Sequence, residues 1–194
     1  MSAASDPIRE FAAWFEQASV LAPFDPTAMA LATADGAGRP SVRWVLLRGF
    51  DERGFVFFTN YESRKADELA ANPRAALAIH WPWVERQVRI EGRVERLDEA
   101  ASDEYFRGRP RGHQIGAWAS RQSRPLADPA ELSRRVAEFT ARFAAAPVPR
   151  PPFWGGFRIA PEAIELWRGR PDRLHERRRF ELVAGIWRET ALYP

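Results

Sequence analysis

The sequence predicts an α+β protein: a closed or split antiparallel β-barrel with peripheral helices. Three observations point there. Short apolar runs recur between Asp- and Gly-rich turn signals, one longer segment alternates polar and apolar residues, and helical periodicities are inserted between the strands without the regular β-α alternation of a parallel sheet. A chain of 194 residues suits one substantial core, so residues 1–194 are expected to form a single domain.

Asp6-Pro7 supplies an N-cap and a first-turn proline. Ile8, Phe11, Phe15 and Ala18 then recur at helical spacing, predicting an amphipathic helix near 7–20. Strands are expected at 28–33, 41–47 and 55–59, separated by Asp35-Gly36-Ala37-Gly38 and Asp51-Glu52-Arg53-Gly54. A short helix over 63–71 is stopped by Asn72-Pro73, and 75–80 returns to strand. In 86–97, Val88, Ile90 and Val94 share one face and charge occupies the other, the pattern of a half-buried strand. Asp98 opens a helix through Phe106, and Asp128-Pro129 opens another in which Leu132, Val136, Phe139 and Phe143 share a face. A stiff linker, Pro147 to Pro152, precedes three closing strands at 153–159, 163–167 and 180–187.

Composition excludes several chemistries. There is no cysteine, which removes disulfides, thiolate nucleophiles, iron–sulfur clusters and zinc–thiolate sites. His80, His113 and His175 are scattered and do not have the spacing of metal ligands, so no metal is expected. No phosphate-binding Gly-Lys loop, dinucleotide-binding glycine fingerprint or Gly-x-Ser-x-Gly elbow occurs. Lys and Arg exceed Asp and Glu by 29 to 26, but acids are interleaved with the cations, and nucleic-acid binding would need a concentrated basic stripe. No segment approaches a membrane span and Met1 to Glu10 carries no apolar leader. A soluble cytoplasmic protein is expected.

The informative residues are clusters at strand ends and in loops. Ser63-Arg64-Lys65 begins a helix after the strand at 55–59. A hydroxyl, two cations and a helix N-terminus can converge there on an anion, or Ser63 can simply cap the helix beside solvated cations. Arg43 lies within an apolar strand and needs an anionic partner, from the protein or a ligand. Gln87 and Gln122-Ser123 offer neutral groups of the kind that read a heteroaromatic edge. Arg107-Gly108-Arg109-Pro110-Arg111, beside Tyr105 and His113, is either a solvated loop or a second anion site. If 173–177 is extended, Arg173, His175 and Arg177 point the same way, an arrangement better suited to a ligand than to packing.

Taken in order, these clusters resemble the pyridoxine/pyridoxamine 5'-phosphate oxidase family. The resemblance runs from about Asp6 to Tyr193-Pro194 and rests on Arg43-Trp44-Val45-Leu46-Leu47, Phe58-Thr59-Asn60 with Ser63-Arg64-Lys65, and Glu85-Arg86-Gln87-Val88. It continues in Tyr105-Phe106 with Arg109-Pro110-Arg111, Gln114-Ile115-Gly116-Ala117-Trp118, Phe153-Trp154-Gly155-Gly156 and Arg173-Leu174-His175. It implies a Greek-key split barrel that dimerises, with FMN held between subunits. It further implies oxidation of pyridoxamine or pyridoxine 5'-phosphate to pyridoxal 5'-phosphate, with O2 as acceptor and H2O2 as product.

By matching positions, Arg43, Trp44, Val45, Leu46, Leu47, Arg48, Phe58, Thr59, Ser63, Arg64, Lys65 and Gln87 would contact FMN. Gln122, Ser123, Trp167 and Arg177 would complete that site, from the other subunit. Arg48, Tyr105, Arg109 and His113 would hold the substrate phosphate, while Arg173, Leu174 and His175 would cover its ring, Arg173 and His175 serving catalysis. The chain departs from the family pattern at Arg48, where Lys is usual, at His113, where Ser is usual, and at Phe58, where Tyr is usual. Set against longer members of that family, the arm before the first helix is expected to be nearly absent. Arg48 and His113 leave open a related split-barrel oxidase of the phenazine-biosynthesis type, and a flavin- or B6-binding protein without turnover is the remaining alternative.

Overall fold

The computed structural model describes residues 6–194; the expectations for Met1 to Ser5 lie outside the described residues. The elements are α1 (Pro7–Val20), β1 (Ala28–Ala34), β2 (Pro40–Leu46), β3 (Gly49–Asp51), β4 (Gly54–Asn60), α2 (Arg64–Ala71), β5 (Arg74–Trp81) and β6 (Arg86–Arg96). They continue through α3 (Glu99–Arg107), α4 (Arg111–Ala119), α5 (Pro129–Arg142), β7 (Trp154–Arg168), β8 (Glu176–Val183) and β9 (Ile186–Leu192). Every strand pairing is antiparallel, in the order β2-β1-β5-β6-β7-β4-β3, with β8 and β9 added beyond the second half of β7. The sheet curls until the two ends approach, and the Arg48 amide, just past β2, donates to the Val56 carbonyl in β4 at 2.8 Å.

β7 explains the split. Its first half pairs with β4 (Phe55↔Ile159 to Asn60↔Trp154), its second half with β8 (Ala163↔Glu181 to Arg168↔Glu176), and β6 runs along both. The bend between the halves falls at a register shift at Glu91/Gly92 opposite Pro161. A Cβ on Gly92 would lie 2.0 Å from the Ala160 carbonyl oxygen, so only glycine lets the two backbones meet there.

The helix α1 covers one mouth of the barrel. The Asp6 carboxylate caps it by accepting from the Ile8 amide at 3.0 Å. The apolar face then inserts Phe11 edge-on to Phe50 and Phe55, each at 4.9 Å between ring centres. A second apolar cluster, Phe106, Ile115, Ala119, Phe139, Phe143, Val148 and Trp154, ties α3, α4 and α5 to the start of β7. The site lies between this cluster and the barrel.

Four sequence expectations are corrected. The closing strands at 153–159 and 163–167 are one strand, because the sheet bends at Pro161 without breaking the β6 ladder. The segment 180–187 divides into β8 and β9 at a turn where Ala184 and Gly185 both have positive φ. Residues 173–177 are not extended: Pro171–Arg173 forms a helical turn with Asp172 at φ 57° and Arg173 at φ 61°, and β8 begins only at Glu176. On α5, Leu132 and Val136 are exposed while Phe139 and Phe143 are buried, since only the C-terminal half of the helix meets α4 and Trp118. Two elements escaped the sequence patterns, the three-residue β3 and the glycine-containing α4.

Candidate cofactor and substrate site

The first wall of the site is assembled where β4 ends and α2 begins. Ser63 takes the N-cap position without capping through its side chain: its hydroxyl donates to the Asn60 carbonyl at 2.8 Å and accepts from Lys65 Nζ at 3.1 Å. The Lys65 ammonium also donates to Thr59 Oγ1 at 3.1 Å and to Gln122 Oε1 at 2.7 Å. Its partners are all neutral. Burial foremost, and then the nearby Arg43 charge, push Lys65 down to about 8, against a smaller opposing pull from Glu68.

The Arg43 requirement for an anion is met by the protein. Arg43 contacts Glu68 at 3.0 Å, with Thr33 Oγ1, Ser41 Oγ and the Leu31 carbonyl as further acceptors. The buried Glu68 also accepts from Ser41 at 2.6 Å and from Arg64 Nε at 2.8 Å. Burial opposes its ionisation, but Ser41, Thr33, Arg64 and Arg43 together prevail and hold Glu68 down to about 2. Glu68 is not among the residues that the sequence singles out. Its signal was the spacing of four from Arg64 on a helix, which reads equally well as an exposed surface pair.

The second wall comes from α3, α4 and β7. Tyr105 stacks on Phe58 at 3.8 Å between ring centres, and Phe58 in turn lies 5.5 Å from Trp154. The Arg109 guanidinium sits 4.5 Å above the Trp154 ring. Arg109 NH1 is buried with no hydrogen-bond partner among the described residues. Burial first, with help from Arg48 and against Tyr105, weakens the hold of Arg109 on its proton. An unpaired guanidinium nitrogen costs free energy until something accepts from it.

Both walls face one cavity of about 1030 Å³, lined by Val42, Arg43, Trp44, Val45, Leu46, Arg48, Phe58, Thr59, Arg64, Lys65, Tyr105, Arg109, His113, Gln122, Ser123 and Trp154, among others. Most of the expected residues therefore converge within one chain. Leu47 is buried in the barrel core and does not line the cavity, and Ser63 accepts a hydrogen bond from Lys65. Gln122 and Ser123, expected from the other subunit, stand instead in the same chain's cavity, because the loop after α4 folds back onto Lys65. Trp154, for which the resemblance implies no contact, forms the floor under Arg109.

The remaining expected residues form a separate group. Gln87, Trp167 and Arg177 occupy one row across β6, β7 and β8, being direct cross-strand neighbours. Arg177 donates to Glu165 at 2.9 Å and to the Tyr193 carbonyl at 2.9 Å. The His175 ring lies 4.6 Å from that of Trp167. Arg173 and Leu174 are exposed on the adjoining turn, and none of these residues lines the same chain's cavity. Among the described residues no cluster of His, Asp or Glu could hold a metal ion, and no helix is long and apolar enough to cross a membrane.

A curled antiparallel half-barrel with a cation-walled, aromatic-floored cavity on its flank places the chain in the class of split-barrel proteins. Residues 15–143 match the pyridoxamine 5'-phosphate oxidase family, and residues 154–194 match the pyridoxine 5'-phosphate oxidase C-terminal dimerisation region. The chain belongs to the pyridoxamine 5'-phosphate oxidase family. It is 57% identical to a pyridoxine/pyridoxamine 5'-phosphate oxidase of Rubrobacter xylanophilus, covering 97% of this chain and 87% of that one. It is 56% identical to another of Anaeromyxobacter dehalogenans, covering 100% and 98%. Among solved structures it is similar to PhzG from Burkholderia lata, crystallised with tetrahydrophenazine-1-carboxylic acid (TM-score 0.94, 35% identity, 100% and 95% covered). A pyridoxamine 5'-phosphate oxidase-related, FMN-binding protein of Nostoc punctiforme shares the fold at 18% identity (TM-score 0.77, 99% and 100% covered).

Proposed function

We propose that the protein is an FMN-dependent oxidase that converts pyridoxamine 5'-phosphate or pyridoxine 5'-phosphate to pyridoxal 5'-phosphate, with O2 as electron acceptor and H2O2 as product. The observation that carries this is a single cavity with two separate groups seeking an anion, Lys65 among neutral acceptors and Arg109 with an unpaired nitrogen. One suits a cofactor phosphate and the other a substrate phosphate. When bound, FMN would supply the two-electron redox chemistry.

The chain's own residues bind and orient. Arg64, Lys65 and the N-terminus of α2 would hold the cofactor phosphate, while Gln122, whose oxygen is engaged by Lys65 and Thr59, keeps its amide hydrogens for the ring edge. Arg48, Tyr105, Arg109 and His113 would hold the substrate phosphate, fixing the reacting carbon in place. The Gln87, Trp167 and Arg177 row, with Arg173, Leu174 and His175 beside it, would close the cavity of a second copy, which makes the homodimer the working unit. The match of residues 154–194 to a dimerisation region supports this, and the continuous sheet supports treating 1–194 as one domain.

The absorption spectrum of the purified protein and oxygen uptake with pyridoxamine 5'-phosphate test the proposal together. A yellow protein with about one FMN per chain that consumes O2 upholds it, whereas a colourless protein that takes up no added FMN refutes it. The likeness to PhzG favours one second reading, oxidation of a reduced tricyclic carboxylate. Oxygen uptake with that substrate, and none with the phosphorylated vitamers, would select it.

A further inference from the structure

We propose that Arg170 is a positioning residue for His175, fixing both the tautomer of its ring and the turn that carries it; this rests on the reading that His175 serves the substrate. The Arg170 backbone amide donates to His175 Nδ1 at 3.2 Å. An amide N–H needs a lone pair to receive it, so Nδ1 is unprotonated and the ring hydrogen of neutral His175 resides on Nε2. The opposite face of the problem, the ring plane, is set by Trp167 at 4.6 Å. His175 thus offers an Nε2–H donor at its free edge, and Nδ1 is withdrawn from proton transfer.

The Arg170 side chain acts on the same segment. Its guanidinium grips Glu176 Oε1 from Nε at 2.9 Å and NH2 at 2.5 Å, closing the turn at the point where β8 begins. Upstream, the neighbouring Gly169 amide donates to the Glu85 carbonyl at 2.8 Å. Between these two anchors Asp172 and Arg173 both hold left-handed backbone, at φ 57° and 61°. Non-glycine residues in that region persist only where their surroundings over-determine them. Arg173 donates to no other described residue, so its presentation depends on the turn and not on a contact of its own. The Arg170–Glu176 clamp, a side-chain pair, together with the Arg170 amide on the His175 ring, closes the turn that displays both Arg173 and His175.

Three variants of the flavin-loaded dimer test this: Arg170→Ala, Glu176→Gln and the charge-swapped pair Arg170→Glu with Glu176→Arg. Oxygen uptake with pyridoxamine 5'-phosphate gives kcat and KM, and nitrogen chemical shifts of His175 in labelled protein report which ring nitrogen carries hydrogen. Each single variant should lower kcat about fivefold, the upper end of what a partly exposed ion pair supplies, with KM and FMN content nearly unchanged. The swap should recover most of the loss. His175 should be the Nε2–H tautomer in the parent protein and a mixture of tautomers in Arg170→Ala. Unchanged kcat in both single variants, a loss the swap does not recover, or an Nδ1–H tautomer in the parent protein would each overturn the proposal. If the parent protein does not oxidise pyridoxamine 5'-phosphate at all, the oxidase reading fails on its own, and the His175 nitrogen shifts still decide the assignment to Arg170.

Discussion

Lys65 Nζ and Gln122 Oε1 meet at 2.7 Å across a sequence separation of 57 residues, and this contact joins the start of α2 to the loop after α4. It stabilises the ammonium only as a dipole can. A bound phosphate would supply the missing negative charge.

The pH dependence of cofactor binding follows from that deficit. Lys65 without ligand titrates at about 8, and a phosphate beside it raises that value. Binding is therefore strongest below pH 8 and weakens as pH rises through and above it, with proton uptake on binding in that range. Titrating the apoprotein with FMN from pH 7 to 10 in two buffers of different ionisation enthalpy measures both. Lys65→Met should bind more weakly at pH 7 and lose the slope above pH 8. For the unliganded chain the sign is opposite: a lysine held at about 8 costs stability at neutral pH, on the order of 3 kcal/mol, and the cost disappears as pH rises from 8 to its unfolded value.

Glu68 carries the complementary prediction. Its carboxyl is held at about 2, below the value in the unfolded chain, so its stabilising contribution is complete above the unfolded pKa and is lost as pH falls towards 2. Glu68→Gln leaves Arg43 and Arg64 without their carboxylate and should cost about 3 kcal/mol at pH 7. Urea denaturation at pH 7 and pH 3 should show a smaller difference between parent and variant at the lower pH.

Arg109 should divide stability from function. Because NH1 has no partner among the described residues, Arg109→Met removes an uncompensated donor and should change stability by less than about 1 kcal/mol. The same variant should lower kcat/KM for pyridoxamine 5'-phosphate roughly tenfold to hundredfold, the worth of a charge-assisted bond. Oxidation of unphosphorylated pyridoxamine should be unaffected.

For Arg173→Ala the expected outcome is an intact flavin spectrum and dimer with kcat/KM lower by roughly a hundredfold, about 3 kcal/mol of transition-state stabilisation. His175→Asn should do less, since the amide retains a hydrogen-bond donor. Loss of FMN from Arg173→Ala would reassign that residue to the cofactor.

The sequence by itself determined the strands and helices whose pattern is local: α1 from Asp6-Pro7 and its apolar spacing, β6 from alternation, α2 from its proline stop. It also carried the cation clusters, because binding residues in loops are not disguised by packing. Tertiary structure decided what local pattern cannot encode. The helix α4 contains glycines at 112 and 116 and folds on the contacts of Ile115 and Ala119, not on propensity. The bend in β7 falls where Glu162 is left without a partner on β6, and Gly92 opposite Pro161 lets the two backbones meet there. Arg43 needed an anion from either the protein or a ligand, and the fold decides that it is Glu68, 25 residues away. Gln122 and Lys65 became one site through chain reversal, and Gln87, Trp167 and Arg177 became a row through strand register. Each is a long-range juxtaposition, specified by how buried surfaces close on one another.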